Sequence, residues 1–576
     1  MREESIASAF PAETSKLLQN ESLYLSNKCY PFEKRPFISN FAGSKTSKYT
    51  IAKDVVRAVG YEQLNDMRPY LTIKKLIGDT GEIYFDENAI NSDGVKCDIN
   101  RFNSVLDTWE KDKGFLLKQE EGRIYIESFE KDTLSILECL LKFSKLSNKG
   151  QEALNKRYIK SHASELQDEL KKQALTKLFV SSKIMLIYGA AGTGKTTLIN
   201  HISNLVGGRR KLFLTKTHTA LQNLQRTIEN TGVESDFISI DSFTKKIKPQ
   251  EYDIIFVDEC STIDNRTMAN FFGKVKSDAC LVLAGDIYQL ESIDFGNWFE
   301  YAKELMPVSS KVELLNTWRT NQQSLKDLWN EVRMRGNLVR EKLVMDGSFS
   351  EEINKNLLQK IDEDEVVLCL NYDGKFGLNN INAIFQANNK NEVFTWQEWS
   401  YKVGDPILFT ESKRFPTVFY NNLKGRIVKI EKDDTSITFT VDINRVITEN
   451  DCSDGIEFIE NDEFMTRVRF TVYDNSSDES DENEEEKRLK SVVPFHLAYG
   501  VSIHKAQGLE YNSVKVIIPD SNAEKITHGI FYTAITRAKK NLKIYWSPET
   551  MTQILNSFEE KPSKRKSLEI IKKKLI

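Results

Sequence analysis

The chain has 576 residues, and its 80 lysines and arginines nearly balance its 84 aspartates and glutamates. This length exceeds what one hydrophobic core can organise, so we expect roughly three to five domains, and the balanced charge excludes a uniformly basic, nucleic-acid-binding surface. The seven cysteines have no zinc or redox spacing, and no leader or apolar run of membrane-spanning length is visible, which predicts a cytoplasmic protein without a membrane segment.

Residues 1–150 are predicted to form an α+β accessory domain. Helical spacing occurs in TIAKDVVRAVG and INRFNSVLDTWEKD, and a β-hairpin turning at Glu120 to Gly122 is predicted within GFLLKQEEGRIYIESF. Helices followed by a charged hairpin resemble a winged helix that contacts DNA or a protein partner; an α+β docking domain is the alternative. Further helices are predicted over residues 129–178.

Two series of short apolar runs predict two α/β domains. The first series is KIMLIYG, KLFLT, DIIFVDE and CLVLAGD, and the second is EVVLCLN, SVKVIIP and NLKIYW. Strands that alternate with helices form parallel sheets, which bind ligands at the carboxyl ends of their strands. We place the first domain at residues 160–310 and the second at residues 311–394 and 490–560.

A region of different character, residues 395–489, interrupts the second series. Apolar and polar residues alternate in GDPILFT, GRIVKI and SITFTVDI, which predicts a small inserted β-barrel of SH3-like type. Its acidic segment 474–488 is predicted to be a disordered loop. The basic segment 561–576 is interpreted as a solvated helix end or, alternatively, as a phosphate-contacting tail.

The segment GAAGTGKT, residues 189–196, has the spacing of a phosphate-binding loop between a strand and a helix. Gly189 and Gly194 permit backbone angles that turn successive N–H groups toward phosphate oxygens. Lys195 supplies a charge for the β and γ phosphates, and the Thr196 hydroxyl is placed for Mg²⁺. The predicted ATP-binding set of this segment is Gly189, Gly192, Gly194, Lys195, Thr196 and Thr197.

Carboxylates at the next strand ends predict hydrolysis rather than binding alone. Asp258 would hold Mg²⁺ through water, and Glu259 would act on the attacking water as general base. Asp286 and Gln289 follow another strand and are predicted to contact the γ-phosphate or that water. The amide of Gln173 could read the adenine edge; a solvated helical glutamine is the alternative.

Eight motifs in order resemble those of superfamily 1 helicases, in the RecD-like and Dda-like branch, over about residues 165–550. They are GAAGTGKT, TKTHTALQ, SIDSF, VDECS, AGDIYQL, TWRT, SIHKAQGLEY and YTAITRAK. The resemblance implies two RecA-like domains with ATP and Mg²⁺ in the cleft between them, and translocation along a single strand, typically 5′ to 3′. It also implies that Gln173 reads adenine, that Gln289 senses the γ-phosphate, and that Arg319 and Arg537 are arginine fingers.

The same resemblance implies a grip on nucleic acid. Gly508 and Glu510 match the motif that couples the nucleotide to the strand. The strand-contacting residues that it implies are Thr217, His218, Ser242, Phe243, Ser502, His504 and Lys505. DNA is favoured over RNA as the strand.

Two departures from the family pattern keep alternatives open. The usual proline-rich end of the AGDIYQL motif is replaced by ESIDFGNWF, and only about twenty residues separate THTALQ from SIDSF, which leaves little space for a duplex-splitting hairpin. The alternatives are an RNA helicase of the same superfamily, or a nucleotide-gated ATPase that recruits a nuclease or a replication or defence partner through residues 1–150.

Overall fold

The computed structural model describes two compact units of the chain. The described residues are 61–91, 98–106, 108–147, 150–228, 235–245, 252–290, 292, 295–345, 349–351, 355–372, 376–410, 413–474, 489–559 and 565–575. One unit comprises residues 1–136 with 562–576, and the other comprises residues 137–561. The predicted helix in TIAKDVVRAVG and residues 475–488 of the predicted acidic loop lie outside the described residues. Among the helices that are described, none has the length and apolar character needed to cross a membrane.

The first unit combines helices with a three-stranded antiparallel sheet of order β1-β3-β2. Its elements before residue 137 are α1 (Tyr61–Thr80), β1 (Phe85–Asp86), α2 (Glu87–Ile90), α3 (Ile99–Val105), α4 (Thr108–Asp112), β2 (Leu117–Glu120) and β3 (Arg123–Ile126), followed by α5 (Glu127–Ser144), which continues into the second unit. The predicted hairpin is confirmed, because Glu120 pairs with Arg123 and positive φ angles at Glu121 and Gly122 close the turn. This order of helices and hairpin supports the winged helix, which stays a hypothesis.

The structure of the basic C-terminal segment differs from the solvated helix end or phosphate-contacting tail that the sequence suggested. It contains α18 (Arg565–Leu575), and this helix packs into the first unit, where Ser567 and Ile571 are fully buried. The Ser567 hydroxyl accepts a hydrogen bond from the Ile83 N–H at 3.0 Å, and the Ser567 N–H donates to the Glu82 carboxylate at 3.0 Å. A solvated end or a free phosphate-contacting tail is therefore wrong for this helix.

The first α/β domain contains a six-stranded parallel sheet of order β6-β5-β7-β8-β4-β9. Its strands are β4 (Ile184–Gly189), β5 (Lys211–Thr215), β6 (Ser235–Ser239), β7 (Ile254–Val257), β8 (Cys280–Gly285) and β9 (Lys311–Leu314). Its helices, with the two that lead into it, are α6 (Gln151–Ser161), α7 (Glu169–Lys177), α8 (Lys195–Leu205), α9 (His218–Thr227), α10 (Ile240–Lys245), α11 (Asn265–Phe272) and α12 (Trp298–Leu305). The predicted boundary at residue 310 is four residues early, because β9 pairs with β4.

The second α/β domain contains a five-stranded parallel sheet of order β10-β22-β21-β11-β20. Its strands are β10 (Ser350–Glu351), β11 (Glu365–Cys369), β20 (Gly500–Ser502), β21 (Tyr511–Ile517) and β22 (Ala538–Tyr545). Its helices are α13 (Gln323–Met334), α14 (Val339–Met345), α15 (Leu378–Asn388), α16 (His528–Ile535) and α17 (Pro548–Glu559). These two parallel sheets confirm the predicted pair of α/β domains. Their apolar strands are buried on both faces, which requires helices that cover them.

An antiparallel region interrupts the second domain, as the alternating pattern predicts. It contains the hairpin β12 (Val393–Trp396) and β13 (Trp399–Lys402) and a six-stranded sheet of order β17-β18-β16-β15-β14-β19. The strands of this sheet are β14 (Pro406–Phe409), β15 (Lys424–Lys432), β16 (Ser436–Ile443), β17 (Ile456–Asn461), β18 (Thr466–Tyr473) and β19 (Phe495–Leu497). We call the six strands the inserted sheet. The SH3-like barrel is not confirmed, since in the described residues β17 and β19 remain the two edges. The insertion also extends past residue 489, because β19 pairs with β14.

Candidate active site

The phosphate loop connects β4 to α8, and of the two glycines predicted to have special backbone angles, Gly194 has them and Gly189 does not. Gly192 and Gly194 have φ angles of 74° and 80°, in the left-handed region that favours glycine. Gly189 does not have a positive φ, so its predicted role is corrected: a Cβ there would lie 2.5 Å from the Thr193 hydroxyl, and the position requires close packing. The Lys195 ammonium donates to the carbonyl of Gly189 at 2.8 Å, which curls the side chain over the loop.

The predicted acidic pair lies at the carboxyl end of β7, beside the loop. Asp258 accepts a hydrogen bond from the Thr196 hydroxyl at 3.1 Å. Glu259 has φ 55° and ψ 40°, a left-handed conformation that costs a non-glycine residue free energy and recurs at functional sites. Burial, reinforced by the charge of Asp258, raises the pKa of Glu259 to about 7. A carboxylate with such a pKa is a competent proton acceptor near neutral pH.

The end of β8 links the two α/β domains. Asp286 accepts a hydrogen bond from the side-chain amide of Gln289 at 2.9 Å, which fixes the direction of that amide. The next residue, Leu290, donates its N–H to the hydroxyl of Thr533 on α16 at 2.9 Å. A hydrogen bond thus joins the second domain to the residue that follows Gln289.

Arg319 reaches the site from the connection between the two domains. Its guanidinium donates to the carbonyl of Thr536 at 2.6 Å and forms an ion pair with Glu510, both in the second domain. A Cβ on Gly192 would lie 2.3 Å from the Arg319 Cβ, so this arginine packs directly against the phosphate loop. Burial opposes ionisation of Glu510, but the charges of Arg319 and Lys539 outweigh it and lower the pKa of Glu510 to about 2.

Arg537 is held rigidly in the second domain, with 2% of its surface exposed. It donates to the carbonyls of Thr533 at 2.9 Å and Leu509 at 3.2 Å, and to the Thr536 hydroxyl at 3.2 Å. Burial, with the nearby charge of Arg319, lowers the pKa of Arg537 to about 10, so the side chain stays cationic at neutral pH.

These groups line one cleft of about 630 Å³. The predicted residues that line it are Gly192, Gly194, Lys195, Thr196, Thr197, Asp258, Glu259, Gln289, Arg319, Gly508, Glu510 and Arg537. Two polar atoms in the cleft, Glu259 Oε2 and Arg319 Nε, are buried and have no hydrogen-bond partner in the described part of the chain. Unpartnered buried polar atoms are costly, which is consistent with a ligand that satisfies them.

Several other residues of the cleft carry no recognisable sequence motif. Trp318, 56% exposed, lines it beside Arg319. From the inserted sheet and its loops come Tyr420, Asn422, Lys424 and Asn444. These residues lie about 160 or more positions from Glu259 in the sequence, and only the tertiary fold brings them to the cleft.

Gln173 does not line the cleft. It lies exposed on α7, and its predicted contact with adenine stays a prediction. Two residues earlier on the same helix, Lys171 is buried beside Gly194.

The predicted strand-contacting residues have different environments. His218 and His504 are exposed, Ser242 is exposed, and Lys505 is half-buried. The Thr217 hydroxyl caps α9 by accepting a hydrogen bond from the Ala220 N–H.

Two predicted contacts are corrected by burial. Phe243 is 1% exposed and packs against Phe271 at 5.7 Å between ring centroids, so it belongs to the core and cannot stack on a base. Ser502 is buried as well, and its hydroxyl accepts a hydrogen bond from the Lys505 N–H at 3.2 Å. It supports Lys505 rather than contacting a strand.

Comparisons with known proteins agree with this geometry. Two family models match the chain: an AAA domain over residues 167–343 and a UvrD-like helicase C-terminal domain over residues 497–545. An uncharacterised protein of Methanocaldococcus jannaschii is 22% identical over 85% of this chain and 46% of its own length. The RecD subunit of the RecBCD enzyme of Buchnera aphidicola (subsp. Schizaphis graminum) is 21% identical over 80% of this chain and 84% of the subunit.

The ATP-dependent RecD2 DNA helicase of Deinococcus radiodurans is 20% identical over 73% of this chain and 54% of its own length. The chain therefore spans about half the length of two of these three relatives. The two matching families fall on the two α/β domains that form the cleft. Eight motifs in order, the two matched family models and the RecD and RecD2 relatives together support a superfamily 1 helicase of the RecD-like branch.

Proposed function

We propose that this protein is an ATP-dependent DNA helicase that moves along single-stranded DNA in the 5′ to 3′ direction. One observation carries the proposal: the phosphate loop and Glu259 of the first α/β domain share a cleft with Arg319 and Arg537, which are anchored to the second. A triphosphate in this cleft bridges the two domains, so its cleavage changes how firmly they are held together.

Each group in the cleft has a chemical role. Lys195 neutralises charge on the β and γ phosphates, and Arg319 and Arg537 stabilise the charge that develops on the γ-phosphate in the transition state. Glu259 orients the attacking water and accepts its proton. These roles explain why Glu259 Oε2 and Arg319 Nε have no partner within the described protein.

The residues present also fit Mg²⁺. Thr196 and Asp258 would hold it, because hydroxyl and carboxylate oxygens are the ligands that Mg²⁺ prefers, and their hydrogen bond at 3.1 Å already brings the two oxygens together. When bound, Mg²⁺ would neutralise charge on the β and γ phosphates.

Contacts between the two α/β domains would couple ATP hydrolysis to movement along the strand. Leu290 is tied to Thr533, and the amide of Asn223 on α9 donates to the Gly508 carbonyl at 3.0 Å. Asn223 directly follows the motif that contains Thr217 and His218, and Gly508 lies within the motif that contains Lys505. Closure on ATP and opening after hydrolysis would therefore shift two strand-contacting segments relative to each other.

DNA is the proposed strand because the Deinococcus relative is named a DNA helicase. The exposed His218 and the half-buried Lys505 suit a sequence-independent grip on the phosphate backbone. Contacts of that kind weaken as salt concentration rises.

The first test is ATPase activity. We expect single-stranded DNA to stimulate hydrolysis many-fold, and Lys195→Ala or Glu259→Gln to abolish it. Lys172→Ala and Glu152→Gln are matched controls, because both side chains lie outside the cleft in exposed ion pairs with Glu169 and Lys156. Equal rates with and without DNA would reject a strand-driven motor.

The second test is unwinding of a duplex with a single-stranded tail. A helicase of the proposed polarity separates the duplex with a 5′ tail and leaves the one with a 3′ tail intact. RNA and DNA tails of one sequence distinguish the RNA helicase, since a backbone grip alone does not exclude RNA. Hydrolysis without unwinding of either substrate would favour the nucleotide-gated module instead.

A further inference from the structure

Lys171 is a buried lysine that the proposed mechanism does not use. It lies on α7 with 9% of its surface exposed, and it makes no hydrogen bond or ion pair of its side chain within the described part of the chain. Asp168, the acidic residue whose charge acts on Lys171, uses one carboxylate oxygen to cap α7 through the Leu170 N–H at 2.9 Å. Burial lowers the pKa of Lys171, and the charge of Asp168 opposes that shift without forming an ion pair.

A charge that has no protein partner is costly on a side chain that is nine-tenths buried. A residue that serves only packing would be better replaced by an apolar side chain of similar volume. The fold instead keeps the charge at this point on α7.

The ammonium points to the phosphate loop. A Cβ on Gly194 would lie 2.5 Å from Lys171 Nζ and 3.6 Å from the Thr197 hydroxyl. Gly194 and Thr197 both line the cleft, and they flank the first residues of α8, whose N-terminus favours anions. The charge of Lys171 therefore adds to the positive potential beside Gly194, whereas Arg319 packs against Gly192.

We propose that Lys171 is a nucleotide-binding residue that donates to a phosphate oxygen in the part common to ATP and ADP, the α- or β-phosphate. This inference rests on the proposed function. Lys171 is not among the residues that line the cleft, but its ammonium lies beside Gly194, which does line it. Arg319 and Arg537 approach from the second domain and serve the γ-phosphate. Lys171 would hold the nucleotide before and after hydrolysis alike, and so keep ADP on the first domain while the cleft opens.

The test is nucleotide affinity of the full chain and its variants, measured by calorimetry with ATP, ADP and adenosine in the Lys171→Met, Lys171→Arg and Lys172→Met proteins. Methionine keeps much of the side-chain volume and removes the charge. We expect Lys171→Met to weaken ATP and ADP equally, by about tenfold or more, because a charge-assisted hydrogen bond is lost. Adenosine binding should not change. Lys171→Arg should restore most of the affinity, and Lys172→Met should match the wild type, because Lys172 pairs with Glu169.

Stability without nucleotide provides the second measurement. Because Lys171→Met removes a buried, unpaired charge, its thermal midpoint should equal or exceed that of the wild type. A midpoint well below the wild type would mark Lys171 as a structural residue and overturn the assignment. ATP and ADP affinities within twofold of the wild type would also overturn it, as would a loss confined to ATP, while the proposed function would stand. A wild-type chain that binds neither nucleotide would refute the proposed function and this inference together.

Discussion

The two arginines of the cleft differ in how deeply the fold depends on them. Arg319 is anchored by one carbonyl and by Glu510 in the cleft, whereas Arg537 satisfies two buried carbonyls and a hydroxyl. Removing a buried donor leaves its acceptors unsatisfied, at a cost of about 1–3 kcal/mol each. Loss of Arg319 should therefore affect mainly the rate of ATP hydrolysis, whereas loss of Arg537 should affect both the rate and the stability of the fold.

We expect Arg319→Ala to lower the rate of ATP hydrolysis by about 10³-fold or more, and to lower the thermal midpoint less than Arg537→Ala does, because Glu510 keeps its ion pair with Lys539. Arg537→Ala should lower both the rate and the midpoint. Single-turnover hydrolysis and thermal unfolding measure the two effects. Full activity in Arg319→Ala would contradict its role as a finger.

Phe243 and Lys505 differ in burial, so substitutions of the two should affect the binding of single-stranded DNA differently. Lys505→Ala should weaken single-stranded DNA binding and reduce the slope of log affinity against log salt by about 0.7, the value for one phosphate contact on a single strand. Phe243→Leu should lower stability, because Phe243 is a core residue, and leave the affinity and salt slope of the folded protein unchanged. Fluorescence anisotropy over a salt series measures the affinity and the slope. A weaker affinity of the folded Phe243→Leu protein would contradict the placement of Phe243 in the core, because lost base stacking lowers the affinity without changing the slope.

At the scale of elements, α18 shows that a short terminal helix can complete a core. Ser567 lies 484 residues from Ile83 in sequence and still accepts its N–H, and Lys574 forms ion pairs with Glu130, at 2.7 Å, and with Glu120. Contacts of this kind hold α18 to the first unit through specific polar groups as well as through apolar burial.

We expect Ser567→Ala to destabilise the first unit by about 1–3 kcal/mol, because the Ile83 N–H and the Glu82 carboxylate lose a buried partner. Lys573→Ala is the control, since Lys573 is exposed on the same helix. Denaturant unfolding followed by hydrogen exchange at β1 and β3 measures the change. An unchanged stability would show that α18 is held by apolar contacts alone.

Elements with a local signal could be predicted from the sequence. The spacing from Gly189 to Thr196 defines the phosphate loop, and the apolar runs define most strands of both parallel sheets. The turn at Glu121 and Gly122 defines the hairpin. In each case the residues that determine the element are neighbours along the chain.

Features that depend on distant contacts could not be predicted. The inserted sheet supplies Tyr420 and Lys424 to the cleft, and no pattern near those residues indicates this. The apolar type of Phe243 fits a base-stacking surface and a core equally well, and only the packing against Phe271 decides between them. The sequence around Lys171 is that of an ordinary charged helix, and only the fold brings its ammonium beside Gly194 of the phosphate loop.

At the scale of the whole molecule, the division into two units predicts how nucleotide binding is distributed. The cleft lies entirely within residues 137–561. At a nucleotide concentration of 100 times the Kd, binding stabilises the folded state by about 2.7 kcal/mol. We expect slower hydrogen exchange in the phosphate loop and around Gly508, and unchanged exchange in β3 of the first unit. Mass spectrometry with and without ATP measures the change in hydrogen exchange. Lys195→Ala should abolish the slower exchange in the phosphate loop and around Gly508. Slowed exchange in β3 would show that the units are energetically coupled.

The pairing of α18 with residues near the beginning of the chain sets an order of events during synthesis. Residues 61–126 emerge from the ribosome early, but Ser567 and Ile571 follow more than four hundred residues later. Since domains generally fold as their residues emerge, the two α/β domains can close before the first unit is complete. A polypeptide interrupted before residue 565 would contain both α/β domains but would lack α18 in the first unit. The apolar surface that α18 normally covers would then be accessible to chaperones and proteases.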